Sequence, residues 1–411
     1  MAVIKPFKAI RPKTELAKKV ASRPYDVLSS EEAKKEAGGN PDSFLHITKS
    51  EIDLPDDIDT HSQQVYDKAK ENLNDFLKRG VLFLEESAYY YIYMLVMNGR
   101  SQTGLVCVSS VDDYENGIIK KHELTRPDKE LDRIMHMRTV GAQTGNVFLA
   151  YRTNETLNKE IEDWKASHHP QYDFTADDGV QHILWVITDD ATNERITTNF
   201  AQRVPFTYIA DGHHRAASAA KVRSALGDLA SPEAGYFLTT LFPSNQLRIL
   251  DYNRLVKDLN GMSQEEFLNQ LEKDFLVGRV DKAFYPAEFH EFGMYLEGSW
   301  YELLAREGTY ETDPISVLDV SILQKNVLDK LLAIKDQRTD KRIDFVGGIR
   351  GLGEIEKRVD SGEMKLGFSL YPVSIGQLFD IADSGGIMPP KSTWFEPKLR
   401  DGLLTHLIFV Q

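Results

Sequence analysis

Apolar residues along this chain alternate between a spacing of three to four and short, nearly continuous runs. That alternation predicts helices interleaved with strands. Val65, Ala69, Leu73, Phe76 and Leu77 share one helical face, so residues 62–79 predict an amphipathic helix ended by Gly80. Residues 89–97 and 104–110 read as strands, and Asn98-Gly99-Arg100-Ser101 between them signals a hairpin. Residues 131–140 and 154–165 predict helices. Residues 147–151 and 183–188 predict strands, the latter apolar enough to be buried on both faces. Residues 112–120 and 167–178 read as turn and loop. Residues 3–12 form a short strand interrupted by Pro6 and Pro12, and Ser29 with Glu32 offers a capping box. Beyond residue 235 the pattern predicts a strand at 236–242, then a helix opened by Ser263 and Glu266 and running through Phe275. A hairpin follows at 292–305. Leu318, Ile322, Leu328, Leu331 and Leu332 mark a long helix, 342–346 and 367–371 are strands, and 374–382 is a short helix. Strands and helices alternate, with hairpins among single crossovers, so the fold class is α/β (α+β) with mixed sheets.

At 411 residues the chain is long enough for two domains. Its formal charge of −14 repels bulk nucleic acid, and no long basic run offsets it. The single cysteine, Cys107, lies in an apolar run; it excludes a disulfide within the chain and argues against a cysteine-based zinc site. The N-terminus lacks the apolar core of a signal peptide, and no apolar run approaches membrane-spanning length, which predicts a cytoplasmic protein without a membrane partner. Oligomeric state leaves no mark in the sequence.

One stretch carries concentrated chemistry. Residues 207–220 run from a β-rich segment through Asp211-Gly212-His213-His214-Arg215 into an alanine-rich helix. A strand that turns sharply into a helix leaves backbone N–H groups free at the helix start, and with the dipole they favour an anion such as phosphate. Gly212 allows close backbone approach. His213, His214 and Arg215 add up to three cationic or donor side chains. The plainer alternative is a helix capped by Asp211 with surface histidines beside it. Three further clusters stand out. In Lys120-Lys121-His122-Glu123-Leu124-Thr125-Arg126, followed by Asp132-Arg133, Glu123 is a candidate general base beside His122. Arg126 or Arg133 would bind an anionic group, unless the cluster is a solvated charged loop. Gly385 to Lys398 offers Lys391, Ser392, Thr393 and Lys398 as a phosphate grip stiffened by prolines, or a loop closing through Trp394 and Phe395. In Arg23-Pro24-Tyr25-Asp26, Asp26 is either a metal ligand or a paired turn residue. Walker A, dinucleotide-fingerprint, zinc-helix and protein-kinase motifs are absent.

Asp211-Gly212-His213-His214-Arg215 resembles the phosphate-binding box of the ParB/sulfiredoxin-like superfamily, which includes partitioning nucleotide switches, sulfiredoxins and free-serine kinases. The whole chain is similar to the domain-of-unknown-function family 1015 (DUF1015), often labelled ParB-like or SpoOJ-like. The resemblance rests on Pro24-Tyr25-Asp26-Val27, His122-Glu123, Asp132-Arg133, Asp211–Arg215, Met388–Thr393 and Pro397-Lys398-Leu399, in that order. Two positions depart from the family pattern. Asn253-Arg254 stands where a His-Arg pair is usual, and Arg23-Pro24 where Pro-Pro is usual. The helix-turn-helix of partitioning proteins has no counterpart here.

The resemblance implies a ParB/sulfiredoxin-like nucleotide-phosphate-binding domain at residues 1–235 and a C-terminal α+β domain at 236–411 closing over the site. It implies a nucleotide-dependent phosphotransferase (kinase) that uses ATP or ADP with Mg²⁺ on a small hydroxyl metabolite, free L-serine being the leading acceptor. In that scheme the 211–215 turn holds the nucleotide phosphates, and His213, His214 and Arg215 stabilise the transferred group. Glu123 orients or deprotonates the acceptor, Lys391, Ser392 and Lys398 close over the phosphates, and Asp26 or Asp211 helps hold magnesium. The alternatives are a non-catalytic ParB-like nucleotide-binding regulator and a phosphohydrolase using the same pocket.

Overall fold

Strand Tyr236–Pro243 is apolar along most of its length and almost wholly buried, and it sits inside a large sheet rather than opening a new domain. The computed structural model describes residues 1–409. It divides into two units, residues 1–247 together with the segment from 397 onward, and residues 248–396. The boundary therefore differs from one at residue 235, and the C-terminal segment returns to the first unit.

Among the described residues the first unit builds a nine-stranded mixed sheet. Its strands run Ile119–Lys120, Thr207–Asp211, Val147–Tyr151, Tyr236–Pro243, Arg100–Ser110, Tyr90–Met97, Gln181–Ile187 and Tyr172–Thr175, with Ile4–Lys5 added on Arg100–Ser110. Val147–Tyr151 pairs in parallel with Tyr236–Pro243, and Thr207–Asp211 in parallel with Ile119–Lys120. The remaining pairs are antiparallel. The hairpin at Asn98-Gly99 forms as expected, with φ of 52° and 75°, the two positive values a tight two-residue turn requires. The core is built from side chains such as Ile92, Leu105, Leu149, Ile209, Phe200 and Leu241. A four-stranded antiparallel sheet joins Leu82–Leu84, Ala9–Pro12, Thr405–Leu407 and Ala142–Gln143, so the chain end lies between two strands from far upstream.

Several elements depart from the sequence pattern. Residues 112–120 hold the short helix Val111–Glu115 and the strand Ile119–Lys120 rather than a turn. Residues 167–178 contain the edge strand Tyr172–Thr175. Helix Asp190–Arg203 buries Thr192, Asn193, Ile196 and Phe200, a face too polar for hydrophobic spacing to mark.

The second unit carries a six-stranded antiparallel sheet among the described residues, in the order Phe275–Val280, Ser299–Ala305, Glu291–Leu296, Leu366–Leu370, Tyr252–Val256, Ile343–Gly347. The capping box at Ser263 and Glu266 is present, but its helix ends at Leu271, and Phe275 opens a strand instead of closing a helix. The long helix expected from Leu318 is Asp319–Leu323 followed by a wider π-helical stretch, Gln324–Asp329. No described helix is long and apolar enough to cross a membrane.

The returning C-terminal segment is locked by Gly402. Its φ of +88° belongs to glycine, and an added Cβ would come within 2.6 Å of the buried Phe44 ring. Gly402→Ala should therefore lower stability by roughly 1–3 kcal/mol in urea unfolding. An unchanged midpoint would contradict this docking.

Candidate functional site

The strand Thr207–Asp211 ends beside Phe148 with a register shift between Ile209 and Asp211. Gly212 then turns the chain at φ 97°, ψ 29°, and helix His213–Leu226 begins. A Cβ at Gly212 would touch the Val147 backbone at 3.4 Å, so the turn presses against the neighbouring strand. Gly212 is itself the N-cap and no side chain caps the helix. Asp211 is not the cap, because its carboxylate accepts from Lys398 Nζ at 3.1 Å. The first-turn N–H groups thus keep their unsatisfied character, and the positive end of the dipole lies with them. The alanines explain the seating. Ala216, Ala217, Ala219 and Ala220 are buried, and helix Pro127–Val140 packs alongside, close enough for the Ser218 hydroxyl to donate to Glu130 O at 3.1 Å.

Arg215 joins distant parts of the first unit. Its Nη2 donates to Asp26 Oδ2 at 2.8 Å, its Nη1 donates to Asn146 O, and its guanidinium lies 5.9 Å from the Tyr25 ring centre. Arg133 stands closer to that ring, 3.8 Å from its centre, and pairs with Asp132 at 2.6 Å. Between these arginines is a small, partly open cavity of about 20 Å³, room for about one water. Gln143, Thr144 and His136 also line it. It is a back pocket, too small for a nucleotide. Arg215 Nε and Asp401 Oδ2 are buried without a partner near it. Against the pull of burial, Lys398 and Arg215 hold Asp211 well below the ordinary carboxylate range. Burial pushes Asp401 the other way, up to about 7, even though Arg215 opposes it.

The histidines are donors rather than cations. Burial lowers His122 to about 4 and His213 well below the usual imidazole value, with His122 adding to the latter. His214 is lowered too, mainly by burial. The backbone N–H of His122 points at His213 Nε2 at 3.5 Å, which leaves the His213 proton on Nδ1, facing Glu123 Oε2 at 3.7 Å. The backbone N–H of Arg126 donates to His214 Nε2 at 3.0 Å, so that proton also sits on Nδ1. The His122 and His213 rings meet edge to face at 4.5 Å. Glu123 is half-exposed, the outermost acid of the group.

Glu123, His122, Asp211, Gly212, His213, His214, Arg215, Asp26 and Lys398 thus gather at one end of the first unit. Arg126 joins them through its backbone N–H on His214. Its side chain is exposed and pairs with its neighbour Asp128 at 2.9 Å, and Arg133 faces Tyr25 and Asp132. Lys391, Ser392 and Thr393 belong to the second unit, where the buried Ser392 hydroxyl donates to Pro389 O at 2.6 Å and Lys391 Nζ sits 5.7 Å from the Tyr252 ring. A magnesium cage is not preformed. Asp26 and Asp211 each hold a cation, and no group of three His, Cys, Asp or Glu ligands converges among the described residues. Spacing gave no signal for three participants: Asn146, Asp401, and Glu130, whose carboxylate takes Thr125 and Lys221.

A family model described as a protein of unknown function (DUF1015) matches residues 4–321. No curated protein matches the chain. Among solved structures, a free serine kinase in complex with AMP is similar at 13% identity and a TM-score of 0.38, covering 77% of this chain and 94% of that one. A conserved hypothetical protein from Pyrococcus furiosus gives 15% and 0.37, with 74% and 97% covered. SbnI with a C-terminal truncation, from Staphylococcus aureus, gives 11% and 0.39, with 74% and 87% covered.

Asp401 makes the site sensitive to pH. Its folded value lies above the ordinary carboxylate value, so the stability it contributes is present at low pH and is lost as pH rises through about 7. The stability of wild type relative to Asp401→Asn should therefore fall between pH 4 and pH 8 in denaturant titrations. A difference that stays flat across that range would contradict a buried, neutral Asp401.

Proposed function

The chain belongs to the DUF1015 family, and from that premise we propose that it is a nucleotide-dependent phosphotransferase acting on a small hydroxyl metabolite. The observation that carries this reading is the uncapped helix start behind Gly212, with Arg215 and Lys398 pinned beside it and Glu123 at its edge. Phosphoryl transfer asks mainly for positioning and for stabilisation of charge spread over phosphate oxygens. Backbone N–H groups of the first helical turn supply fixed donors at no reorganisation cost. The Nδ1–H groups of His213 and His214 add neutral donors, and Lys398 and Arg215 add charge held in place by Asp211 and Asp26.

In the reaction, Glu123 accepts the proton of the acceptor hydroxyl. The acceptor oxygen bonds to the terminal phosphorus of ATP or ADP as the bond to the bridging oxygen breaks, and the shortened nucleotide leaves with that electron pair. Glu123 Oε2 lies 3.7 Å from His213 Nδ1, which places the base at the edge of the donor cluster. Magnesium ordinarily travels with nucleotide phosphates and one or two carboxylates. Asp26 and Asp211 already hold cations, so no step here depends on their binding it. L-serine is the first acceptor to try, because the Asp211–Arg215 turn resembles that of free-serine kinases.

Purified protein with ATP or ADP, magnesium and L-serine, followed by a panel of other hydroxyl acceptors, should form a phosphorylated acceptor. Glu123→Gln should lower turnover at least about 100-fold and leave nucleotide affinity within about twofold. Labelled phosphate released to water with no acceptor product would make the protein a phosphohydrolase. Nucleotide binding without turnover, unaffected by Glu123→Gln, would make it a regulator.

A further inference from the structure

Arginine burial in this chain follows one rule with one exception. The buried Arg11, Arg133, Arg215 and Arg400 each pair with a carboxylate, on Glu85, Asp132, Asp26 and Asp178 respectively. Arg254 is fully buried, at 0% exposure, and no carboxylate pairs with it among the described residues. It stands on the strand Tyr252–Val256, between Leu366–Leu370 and Ile343–Gly347. Its guanidinium donates to Tyr252 O, to Pro390 O at 3.2 Å and to Gln337 Oε1 at 3.3 Å, and lies 5.4 Å from the Phe345 ring centre. Carbonyl acceptors satisfy hydrogen bonds but leave a unit charge without a counter-ion, a costly state in a protein interior. Burial lowers the group only to about 10, so it remains charged at neutral pH.

That charge donates to the carbonyl of Pro390, at the start of the turn that carries Lys391. Lys391 is exposed, its backbone is in the left-handed region at φ 57°, and its Nζ is 5.7 Å from the ring of Tyr252, the residue whose carbonyl Arg254 holds. Ser392 closes the turn onto Pro389. A non-glycine residue in the left-handed region is uncommon and needs surroundings that hold it there. Here two prolines and the Arg254 bond to Pro390 O do so. One buried cation without a carboxylate partner among the described residues thus holds the first carbonyl of a stiff turn that carries one exposed cation. We infer that the Pro390–Thr393 turn of the second unit binds an oxyanion of the phosphate class, with Arg254 as its buried counter-charge and Lys391 as its exposed contact. Lysine acts on phosphate as a point charge, and the anion completes the pairing that the other buried arginines find within the chain. This subsite lies in the second unit and does not depend on the phosphotransferase reading of the first.

The test is calorimetric titration of the full chain with inorganic phosphate at constant ionic strength, with ADP and acetate as parallel probes. Lys391→Gln should weaken phosphate binding at least fivefold and Arg254→Gln at least tenfold. Lys398→Gln, in the first unit, should leave a phosphate-binding event that still depends on Lys391. Phosphate binding with acetate silent supports a phosphate subsite. Acetate binding as tightly as phosphate overturns the assignment to the phosphate class. Lys391 is exposed, so its variant decides the matter if Arg254→Gln fails to fold. Wild-type phosphate affinity in Lys391→Gln, or loss of all phosphate binding in Lys398→Gln alone, overturns the inference. In the latter case the first-unit site would still stand.

Discussion

The contact between the buried Arg215 and the half-exposed Asp26 is the constraint on which the first unit's site depends. It ties the N-terminal turn at Tyr25-Asp26 to the start of helix His213–Leu226, and through Asn146 O it ties both to the loop before Val147–Tyr151. A charge taken out of water is tolerable only when paired and hydrogen-bonded, so each of these segments must be in place for the others to be stable. Arg133 repeats the arrangement beside the same Tyr25 ring, paired with Asp132. The result is a set of paired charges that ties three distant segments to the helix start.

That arrangement sets the electrostatic character of the site. Its histidines are neutral, because burial outweighs the nearby acids, and its principal cations already hold carboxylates. On the proposed reading, selectivity for an anion comes from oriented N–H donors rather than from net positive charge, which suits a protein of charge −14. The second unit presents the opposite case at Arg254, where a buried charge lacks a counter-ion among the described residues.

What was legible in the sequence was local. Asn98-Gly99 specified its hairpin, and Ser29 with Glu32 and Ser263 with Glu266 specified their capping boxes, because each signal lies within four residues. The Asp211–Arg215 turn was legible for the same reason. Helix Asp190–Arg203 was not, since Thr192 and Asn193 are half of its buried face. Nor could spacing show that the chain end returns between Ala9–Pro12 and Ala142–Gln143, bringing Lys398 and Asp401 to the first unit while Lys391, only seven residues before Lys398, belongs to the second. Asp211, the cap in the plainer alternative reading of this turn, holds that returning lysine, and Gly212 is the N-cap.

The central claim is that an oxyanion docks on the free N–H groups at the start of helix His213–Leu226. The most direct measurement follows the backbone amide resonances of His213, His214 and Arg215 by NMR as ADP is added. The account predicts large, saturable shifts of these three amides with a single affinity, and a weaker response when Lys398 is replaced by glutamine. Amides of 213–215 that stay fixed while ADP binds elsewhere on the protein would contradict it.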